Sequence, residues 1–243
     1  MNGNIIHLSV VDSTNIYTTK LLSQTDTADW TIVTAEHQTA GKGQRGKKWE
    51  SDIAKNLLCS IVSRPKKISI ESQFLVSMAT SLAVIEVLAS VGITAKVKWP
   101  NDILVRGKKI CGLLIENQWS SGLIDTSILG IGLNVNQTKF SPFDWPATSM
   151  AIELGIETNL NTILNSLSLY IQEKISGMPE NYSEIMNDYS DRLFAIGQIV
   201  TFKNKDEVLV GRLLGVDQNG AIRIQNSQGV KSFVNGEIKI QNI

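Results

Sequence analysis

Residues 41–49 read Gly-Lys-Gly-Gln-Arg-Gly-Lys-Lys-Trp, and they follow the β-branched stretch 31–36. That stretch predicts a strand, so the three glycines stand where the strand ends. Glycines let a backbone turn sharply and approach a ligand, and the stretch holds the four cations Lys42, Arg45, Lys47 and Lys48 with no acid among them. The loop therefore fits a phosphate or a carboxylate, with a solvated basic hairpin as the alternative. Trp49 favours binding, because an exposed loop seldom carries an uncovered indole.

The composition limits the function classes. The chain has 243 residues, of which 42% are hydrophobic, which allows one large domain and one small one with a buried core. Its formal net charge is zero, so we expect no DNA partner. No apolar stretch is long enough to span a membrane and the first residues lack a signal-peptide pattern, which predicts a cytoplasmic protein. Cys59 and Cys111 lie in apolar runs and are interpreted as core residues.

A polar tetrapeptide, Asp12-Ser13-Thr14-Asn15, follows the predicted strand 4–11. One of these residues suffices to cap the helix that the sequence predicts as far as about residue 23. The same groups could equally hold a small polar headgroup, because hydroxyls and amides pair with a urea or a carboxylate without adding charge. Both interpretations stay open at this point.

A second candidate segment is Lys98-Trp99-Pro100-Asn101-Asp102, which ends the predicted strand 94–99. A turn at 106–108 predicts a hairpin with the strand 109–116. Across that hairpin Lys109 can lie alongside Asp102. Such a pair suits a magnesium–phosphate substrate, although Asn-Asp is also ordinary turn chemistry. Gly112, inside the apolar strand, leaves room for a ligand or another backbone.

The strand predicted at 124–136 contains Gly130, Gly132 and Asn134. Two glycines within one strand indicate that something must fit against them. The following segment, 137–150, contains Trp145 between two prolines and has no clean periodicity. It predicts a loop that can close over a site.

Helical periodicity predicts helices at 72–91, 161–175 and about 182–193. The pattern changes near Gly197, after which short alternating runs predict strands at 199–203, 208–214, 221–225, 230–234 and 238–241. Turns are expected between them, the first at 204–206. These strands predict a small antiparallel barrel, so the expected domains are residues 1–196 and 197–243.

Four blocks in one order resemble the biotin protein ligases. The blocks are 12–15, 38–46 with Trp49, 98–102 with Lys109 and Gly112, and 130–134. The resemblance implies an α+β fold, in which a mixed β-sheet catalytic domain packed with helices, of the class II synthetase-like biotin–lipoate ligase type, precedes a small Src-homology-3-like β-barrel. It also implies the monofunctional type, because repressor-type members carry a winged helix before the ligase domain and the first strand here begins at residue 4.

The resemblance implies an ATP-dependent ligase with biotin as substrate and Mg²⁺ as cofactor. Biotin would react with ATP to biotinyl-5'-adenylate, and a lysine of the biotin carboxyl carrier protein would then take the biotin; the enzyme itself could be a monomer or a homodimer. The expected catalytic residues are Lys109, Lys42 and Arg45. The expected biotin-binding residues are Ser13, Thr14, Asn15, Gln38, Gly41, Lys42, Lys109 and Gly112. The expected ATP-binding residues are Gln44, Arg45, Lys47, Trp49, Asn101 and Asn134, with Asp102 as a magnesium ligand.

Lys42 and Gln44 depart from the family pattern, because many relatives have arginine at both places. Weaker retention of the adenylate is the expected consequence. Two other functions stay open: a lipoate or octanoyl ligase of the same fold, and a non-catalytic biotin or nucleotide sensor. The first would lack the glycine loop and the 98–102 block, and the second would need neither Asp102 nor Lys109.

Overall fold

Seven strands form one mixed sheet in the computed structural model, which describes residues 4–142, 145–204 and 207–241. They are β1 (Ile5–Val11), β2 (Ile32–Gln38), β3 (Leu57–Ser63), β4 (Lys96–Lys98), β5 (Asp102–Val105), β6 (Lys108–Ser120) and β7 (Leu123–Leu133). Their order across the sheet is β1-β2-β3-β7-β6-β5-β4. β1 and β2 pair in parallel, and the other neighbours pair antiparallel. The mixed sheet expected from the resemblance is confirmed.

The helices are α1 (Thr14–Gln24), α2 (Phe74–Ser90), α3 (Met150–Leu154), α4 (Leu160–Ser176) and α5 (Tyr182–Asp191). Because α2 is apolar almost all round, it is buried between α4, α5 and the strands β5 and β6. The periodicity predicted α2, α4 and α5, and the capping residues predicted α1, with small errors at the helix ends. It missed α3, whose five residues are too few to show a period and whose start is capped by the Ser149 side chain.

The predicted hairpin is confirmed, and its second strand is longer than expected. β6 runs to Ser120 because it pairs with β7 from Cys111 to Ser120, with an irregularity between Gln118 and Trp119. At the other end, β4 has only three residues. Pairing between strands determines where β6 ends and how short β4 is, and the sequence pattern contains no signal for that pairing.

The C-terminal region forms a second, antiparallel sheet. Its strands are β8 (Ile199–Asn204), β9 (Glu207–Val216), β10 (Ile222–Asn226), β11 (Gly229–Phe233) and β12 (Ile238–Ile240), in the order β11-β10-β9-β8-β12. All five expected strands are present. In the described part of this region the ladders do not join β11 to β12, so the sheet is not closed into a barrel. Of the turn expected at 204–206, residues 205 and 206 lie outside the described residues.

The two sheets meet through a residue of the 98–102 block. The buried indole Nε1 of Trp99 donates a 2.9 Å hydrogen bond to the carbonyl oxygen of Gly220, in the turn between β9 and β10. Tyr182 on α5 donates from its hydroxyl to the Gln218 carbonyl in the same turn. Trp99 therefore attaches the C-terminal sheet to the larger one.

The core bears out the interpretation of both cysteines. Cys59 on β3 and Cys111 on β6 are fully buried. Burial raises the pKa of the Cys59 thiol to about 12 and raises the pKa of Cys111 as well. None of the helices in the described ranges combines the length and apolar character that a membrane crossing requires.

Candidate active site

A cavity of about 480 Å³ brings together residues of the large sheet, the 41–49 loop and the C-terminal sheet. Most of the site residues expected from the sequence line it: Ser13, Thr14, Asn15, Gln38, Lys42, Gln44, Arg45, Lys47, Trp49, Asn101, Asp102, Lys109 and Gly112. Gly41 and Asn134 are not among its lining residues. The cations Lys42 and Lys109, from separate segments, therefore face one space.

The polar tetrapeptide forms a buried corner of this cavity. Ser13 occupies the N-cap position of α1, but its side chain makes no capping hydrogen bond. The first backbone N–H of the helix, from Thr14, donates instead to Oε1 of Gln38 at 2.8 Å, and the Thr14 hydroxyl donates to the same oxygen at 3.1 Å. Gln38 thus completes the helix start, while the Ser13 hydroxyl at the cavity keeps its hydrogen-bonding capacity.

Asn15 is held by protein groups. Its Nδ2 donates to Glu116 at 2.7 Å and to the Leu114 carbonyl, and its Oδ1 accepts from the Ser60 hydroxyl at 2.6 Å. A side chain at Gly130 would overlap the Asn15 amide, which explains one glycine of β7. Asn15 therefore fixes the start of α1 to strands β3 and β6.

The glycine loop is a tight hairpin. The Trp49 N–H donates to the Gly41 carbonyl at 2.9 Å, the Gly43 N–H donates to the Lys47 carbonyl at 2.7 Å, and Arg45 at the tip has a left-handed backbone with φ of 57°. The alternative interpretation of residues 41–49 as a basic hairpin is therefore correct for the backbone. The hairpin nevertheless lines the cavity, so the two interpretations do not exclude each other.

The tip of the hairpin contacts the C-terminal sheet. The Arg45 guanidinium donates to the carbonyl oxygens of Asn235, at 2.7 Å, and Gly236, at 3.3 Å. The Asn235 amide donates in return to Oε1 of Gln44 at 3.1 Å. We name these three hydrogen bonds the loop latch. Arg45 and Gln44, expected to contact ATP, thus point toward the turn before β12.

The Trp49 ring occupies the room that two glycines leave. A Cβ at Gly132 would lie 2.5 Å from Cε2 of the indole, and a Cβ at Gly112 would lie 2.9 Å from its Cζ3. The Lys109 ammonium lies 5.3 Å from the ring centroid, a cation–π distance. Among the described residues the buried Trp49 Nε1 has no hydrogen-bond partner. The Trp49 ring therefore forms an apolar part of the cavity wall, and its indole N–H makes no hydrogen bond to the described residues.

Lys109 and Asp102 form the shortest ion pair of the site. The Lys109 Nζ lies 2.6 Å from Oδ1 of Asp102, as the hairpin geometry predicted, and the Lys98 Nζ lies 3.3 Å from Oδ2. Burial lowers the pKa of Lys98, Asp102 opposes this shift, and the positive charges of Lys109 and Lys47 add to it. One carboxylate thus faces two ammonium groups.

The donor set does not form a metal site by itself. Both oxygens of Asp102 face lysines, and the Asn101 amide donates to the Leu113 carbonyl at 2.8 Å. No group of three or more His, Cys, Asp or Glu is placed to hold an ion within residues 4–142, 145–204 and 207–241. Magnesium usually keeps one or two protein carboxylates and takes its other ligands from phosphate and water. Any magnesium here would depend on the substrate's phosphates.

A second cavity, of about 770 Å³, shares Trp49 and Lys109 with the first. Besides these two residues it is lined by Asn134, by the apolar residues Phe140, Pro142, Trp145 and Ala147, and by several lysines. The part of the predicted loop 137–150 that follows residue 144 is tied to β6, because the Lys109 N–H donates to the Pro146 carbonyl at 2.7 Å and the Thr148 N–H donates to the Lys109 carbonyl. Described residues on both sides of 143–144 thus line the second cavity.

Sequence reasoning missed four kinds of contributor. Ser60 and Glu116 support Asn15 from strands far away in the chain, and Lys98 lies beside Asp102 although it stood in the quoted block. Residues of the turn before β12 and of the C-terminal strands line the cavity too. The only sequence signal for them was the polar character of Ser60 and Glu116 inside apolar strands.

Comparison with known proteins places these features in one family. The model of the Biotin/lipoate A/B protein ligase family matches residues 8–134, more than half of the chain. The chain is 27% identical to the bifunctional ligase/repressor BirA of Bacillus subtilis, over 99% of this chain and 75% of that protein. It is also 27% identical to the biotin--[acetyl-CoA-carboxylase] ligase of Paracoccus denitrificans, over 91% of this chain and 94% of that protein.

A solved structure agrees with the sequence matches. The biotin protein ligase of Aquifex aeolicus, in complex with biotin and ATP, superimposes with a TM-score of 0.83 at 28% identity and covers 99% of both chains. The residues matched by the family model, 8–134, span all four blocks. The chain therefore belongs to the biotin/lipoate A/B protein ligase family.

Proposed function

We propose that this protein is a biotin protein ligase, which activates biotin with ATP and transfers it to a lysine of a biotin carboxyl carrier protein. The observation that carries the proposal is that Lys42 and Lys109 line the same cavity as the neutral groups of Ser13 and Gln38. Biotin has a neutral ureido ring at one end and a carboxylate at the other. A cavity with a neutral polar corner and a cationic part matches both ends.

In the proposed first step, a carboxylate oxygen of biotin attacks the α-phosphorus of ATP. The bond from that phosphorus to the oxygen of the β-phosphate breaks, and pyrophosphate leaves. Negative charge gathers between the carboxylate and the α-phosphate, so a cation fixed beforehand lowers the barrier. Lys109 fits this part because Asp102 holds its ammonium at 2.6 Å. Lys42 would add a second cation from the glycine loop.

In the second step, the neutral amine of the carrier lysine attacks the carbonyl carbon of biotinyl-5'-adenylate. An amide bond forms, the bond to the phosphate oxygen breaks, AMP leaves, and the nitrogen loses a proton. Water must be kept from the mixed anhydride until the lysine arrives. The Trp49 ring packed on Gly112 and Gly132 provides an apolar wall for that purpose.

The nucleotide would extend from the first cavity into the second. Trp49 and Lys109 line both, and Asn134 lines the second beside Phe140 and Trp145. Aromatic rings and an amide suit an adenine base. Magnesium would enter with the triphosphate and neutralise part of its charge. We keep Asn101 and Asp102 as its proposed neighbours, with Asp102 also orienting Lys109.

We also propose residues 1–196 as the catalytic domain and 197–243 as the small C-terminal domain. The large sheet and helices α1 to α5 precede residue 197, and β8 to β12 follow it. Both proposed domains contribute residues to the first cavity. The C-terminal sheet would therefore take part in substrate binding.

The test is mass spectrometry of a biotin carboxyl carrier domain incubated with this protein, biotin, ATP and Mg²⁺. We expect one added biotin, which disappears when ATP is omitted or when the acceptor lysine is replaced by arginine. Modification by lipoate and not by biotin would overturn the proposal in favour of a lipoate ligase. Biotin binding without pyrophosphate release would overturn it in favour of a sensor.

A further inference from the structure

A chain of buried polar side chains leads from the interior to the neutral corner of the first cavity. Thr14, Asn15 and Ser60 are 4%, 3% and 0% exposed, and Ser60, on β3, lines neither cavity. The Ser60 Oγ lies 2.6 Å from Oδ1 of Asn15 and 2.8 Å from the hydroxyl oxygen of Thr14. The Thr14 hydroxyl lies 3.1 Å from Oε1 of Gln38, and these two residues do line the cavity. Hydrogen bonds therefore connect Ser60 to a space that it does not reach.

Acceptor groups of β6 fix how the Asn15 amide is turned. Its Nδ2 lies 2.7 Å from a carboxylate oxygen of Glu116 and 3.2 Å from the carbonyl oxygen of Leu114. A carbonyl and an ionised carboxylate accept hydrogen bonds but do not donate them. The reverse orientation would place Oδ1 against two acceptors, so Oδ1 faces Ser60. Within the described part of the chain Oδ1 receives its hydrogen bond from the Ser60 hydroxyl, which uses the Ser60 hydrogen.

The two hydroxyl groups have too few hydrogens for their contacts. Each hydroxyl donates one hydrogen. The contacts are three: Ser60 with Asn15, Ser60 with Thr14, and Thr14 with Gln38. Because the Ser60 hydrogen is on Asn15, the single Thr14 hydrogen serves either Ser60 or Gln38. One contact then brings two oxygens together without a hydrogen, which is unfavourable at a buried place.

An N–H group of a ligand supplies the missing hydrogen. Oε1 of Gln38 accepts the backbone N–H of Thr14 at 2.8 Å and has a second lone pair. If a ligand N–H donates to this oxygen, the Thr14 hydrogen turns to Ser60 and every contact is made. The ureido ring of biotin carries two N–H groups, whereas lipoate and octanoate carry none. A ligand without an N–H group leaves the shortage in place.

We propose that Ser60, together with Asn15, is a positioning residue that keeps the oxygens of Thr14 and Gln38 as acceptors and thereby selects a ligand with N–H groups. Ser60 acts through Thr14, since it lies outside both cavities. The inference rests on the proposed function. It adds the residues behind the corner that distinguish a ureido ligand from a carboxylic acid without an N–H group.

Removal of either partner of the Ser60–Asn15 contact removes the shortage of hydrogens. In Ser60→Ala, the Thr14 hydrogen stays on Gln38. In Asn15→Ala, the Ser60 hydrogen turns to Thr14 and the Thr14 hydrogen turns to Gln38. In both variants the corner is satisfied without a ligand N–H, so the N–H groups of biotin contribute less to binding.

The experiment uses the full chain with Ser60→Ala, Asn15→Ala and the control Ser63→Ala. Ser63 is a buried serine on the same strand, and its Oγ has no hydrogen-bond partner among the described residues. Calorimetric titration measures the dissociation constants of biotin and of its cyclic carbonate analogue, in which oxygen atoms replace the two ureido N–H groups. We expect the wild type to prefer biotin about 100-fold or more, because a site built for an N–H group rejects an analogue that lacks it. In Ser60→Ala and Asn15→Ala the preference should fall about tenfold, the size of one hydrogen bond.

The ratio of the two dissociation constants separates positioning from a structural role. A loosened fold would weaken the binding of both ligands and of ATP alike and leave the ratio unchanged. In steady-state kinetics we expect Ser60→Ala to raise the KM for biotin more than it lowers kcat, while the KM for ATP stays at the wild-type value. Ser63→Ala should keep the wild-type ratio.

An unchanged ratio in folded Ser60→Ala and Asn15→Ala overturns the proposal. An equal fall of the ratio in Ser63→Ala overturns it too, and so does a wild type that binds biotin and the carbonate analogue equally. If the wild type prefers biotin in a manner that depends on Ser60 but releases no pyrophosphate with ATP, the proposed function fails while this inference stands. A wild type that binds lipoate and not biotin overturns both.

Discussion

At the scale of single residues, Lys109 has the position that matters most for the proposed first step. Its ammonium is paired with Asp102 and lies 5.3 Å from the centroid of the Trp49 ring. We expect Lys109→Gln to lower the rate of adenylate formation about 100-fold or more, because a fixed cation near the developing charge is removed. Pyrophosphate release from biotin and ATP measures that rate.

Lys108→Gln is the matched control, because Lys108 is the exposed neighbour on the same strand and lines neither cavity. It should react at the wild-type rate. Equal rates of adenylate formation for both variants would show that Lys109 does not act in the first step.

Gly132 leaves room for the Trp49 ring, and a second prediction concerns this contact. Gly132→Ala places a methyl group within 2.5 Å of the Trp49 ring, so the indole must move. Overpacking of this kind typically costs about 1–3 kcal/mol of the free energy of unfolding. We expect that loss in urea denaturation, together with faster hydrolysis of the adenylate as the apolar wall shifts.

The double variant Gly132→Ala with Trp49→Leu tests the cause. If the clash with the indole is responsible, the smaller leucine relieves it, and the two changes will not add. Additive losses would show that Gly132 is needed for another reason, such as the pairing of β7.

Part of this residue-scale picture could be predicted from the sequence. Lys109 and Asp102 are joined by a short hairpin, so local turn chemistry was enough to place them together. Ser60 and Glu116 reach Asn15 only through the order of strands across the sheet. No local pattern encodes that order, so these supports stayed hidden.

At the scale of elements, the glycine hairpin is positioned by the loop latch. Gly236 has a left-handed backbone with φ of 92°, and a side chain there would overlap the Arg45 guanidinium. We expect Gly236→Ala to break the latch, free the hairpin and raise the KM for ATP several-fold. Limited proteolysis near residues 44–46, together with steady-state kinetics, would measure both effects.

Gly229→Ala is the control for that experiment. Gly229 also has a positive φ, 113°, at the start of β11 in the same sheet, but no heavy atom lies within 4 Å of its potential Cβ. Both variants should lose some stability from backbone strain. Only Gly236→Ala should change the cleavage of the hairpin, and equal cleavage in the two would argue against the latch.

The elements themselves were largely predictable, because most strands and helices have a clear period and clear turn residues. The errors arose where pairing between distant segments overrides local pattern, as at the far end of β6. The C-terminal sheet is consistent with the expected Src-homology-3-like domain, but among the described residues the ladders do not join β11 to β12. Turn signals predict hairpins well but carry no information on closure.

At the scale of the whole molecule, the two sheets share one cavity. The sequence indicated two units but gave no sign that the second completes the site of the first. Trp99 is an example. It lies within the 98–102 block, which the resemblance linked to substrate binding, yet its indole attaches the C-terminal sheet to the large sheet. The loop latch likewise joins residues 44–45 to residues 235–236, and the cavity residues of β8 and β12 also come from segments far from the large sheet in the chain.

The two buried cysteines allow the unfolding of the large sheet to be followed separately. Cys59 lies on β3 and Cys111 on β6, whereas no cysteine occurs in the C-terminal sheet. A thiol reacts as its thiolate, and burial raises the pKa of both thiols in the folded state. We therefore expect both to label with a thiol reagent only when the large sheet opens, with the same urea dependence.

Biotin and ATP together should slow this labelling further, because ligands that bind only the folded state lower the population of the open one. The chain unfolded in urea provides the control, since both thiols should then react fast and completely. Labelling of Cys59 or Cys111 at a rate independent of urea would mean that the sheet opens locally. In that case Cys59 and Cys111 would not share one cooperative core, although β3 and β6 both pair with β7 in the same sheet.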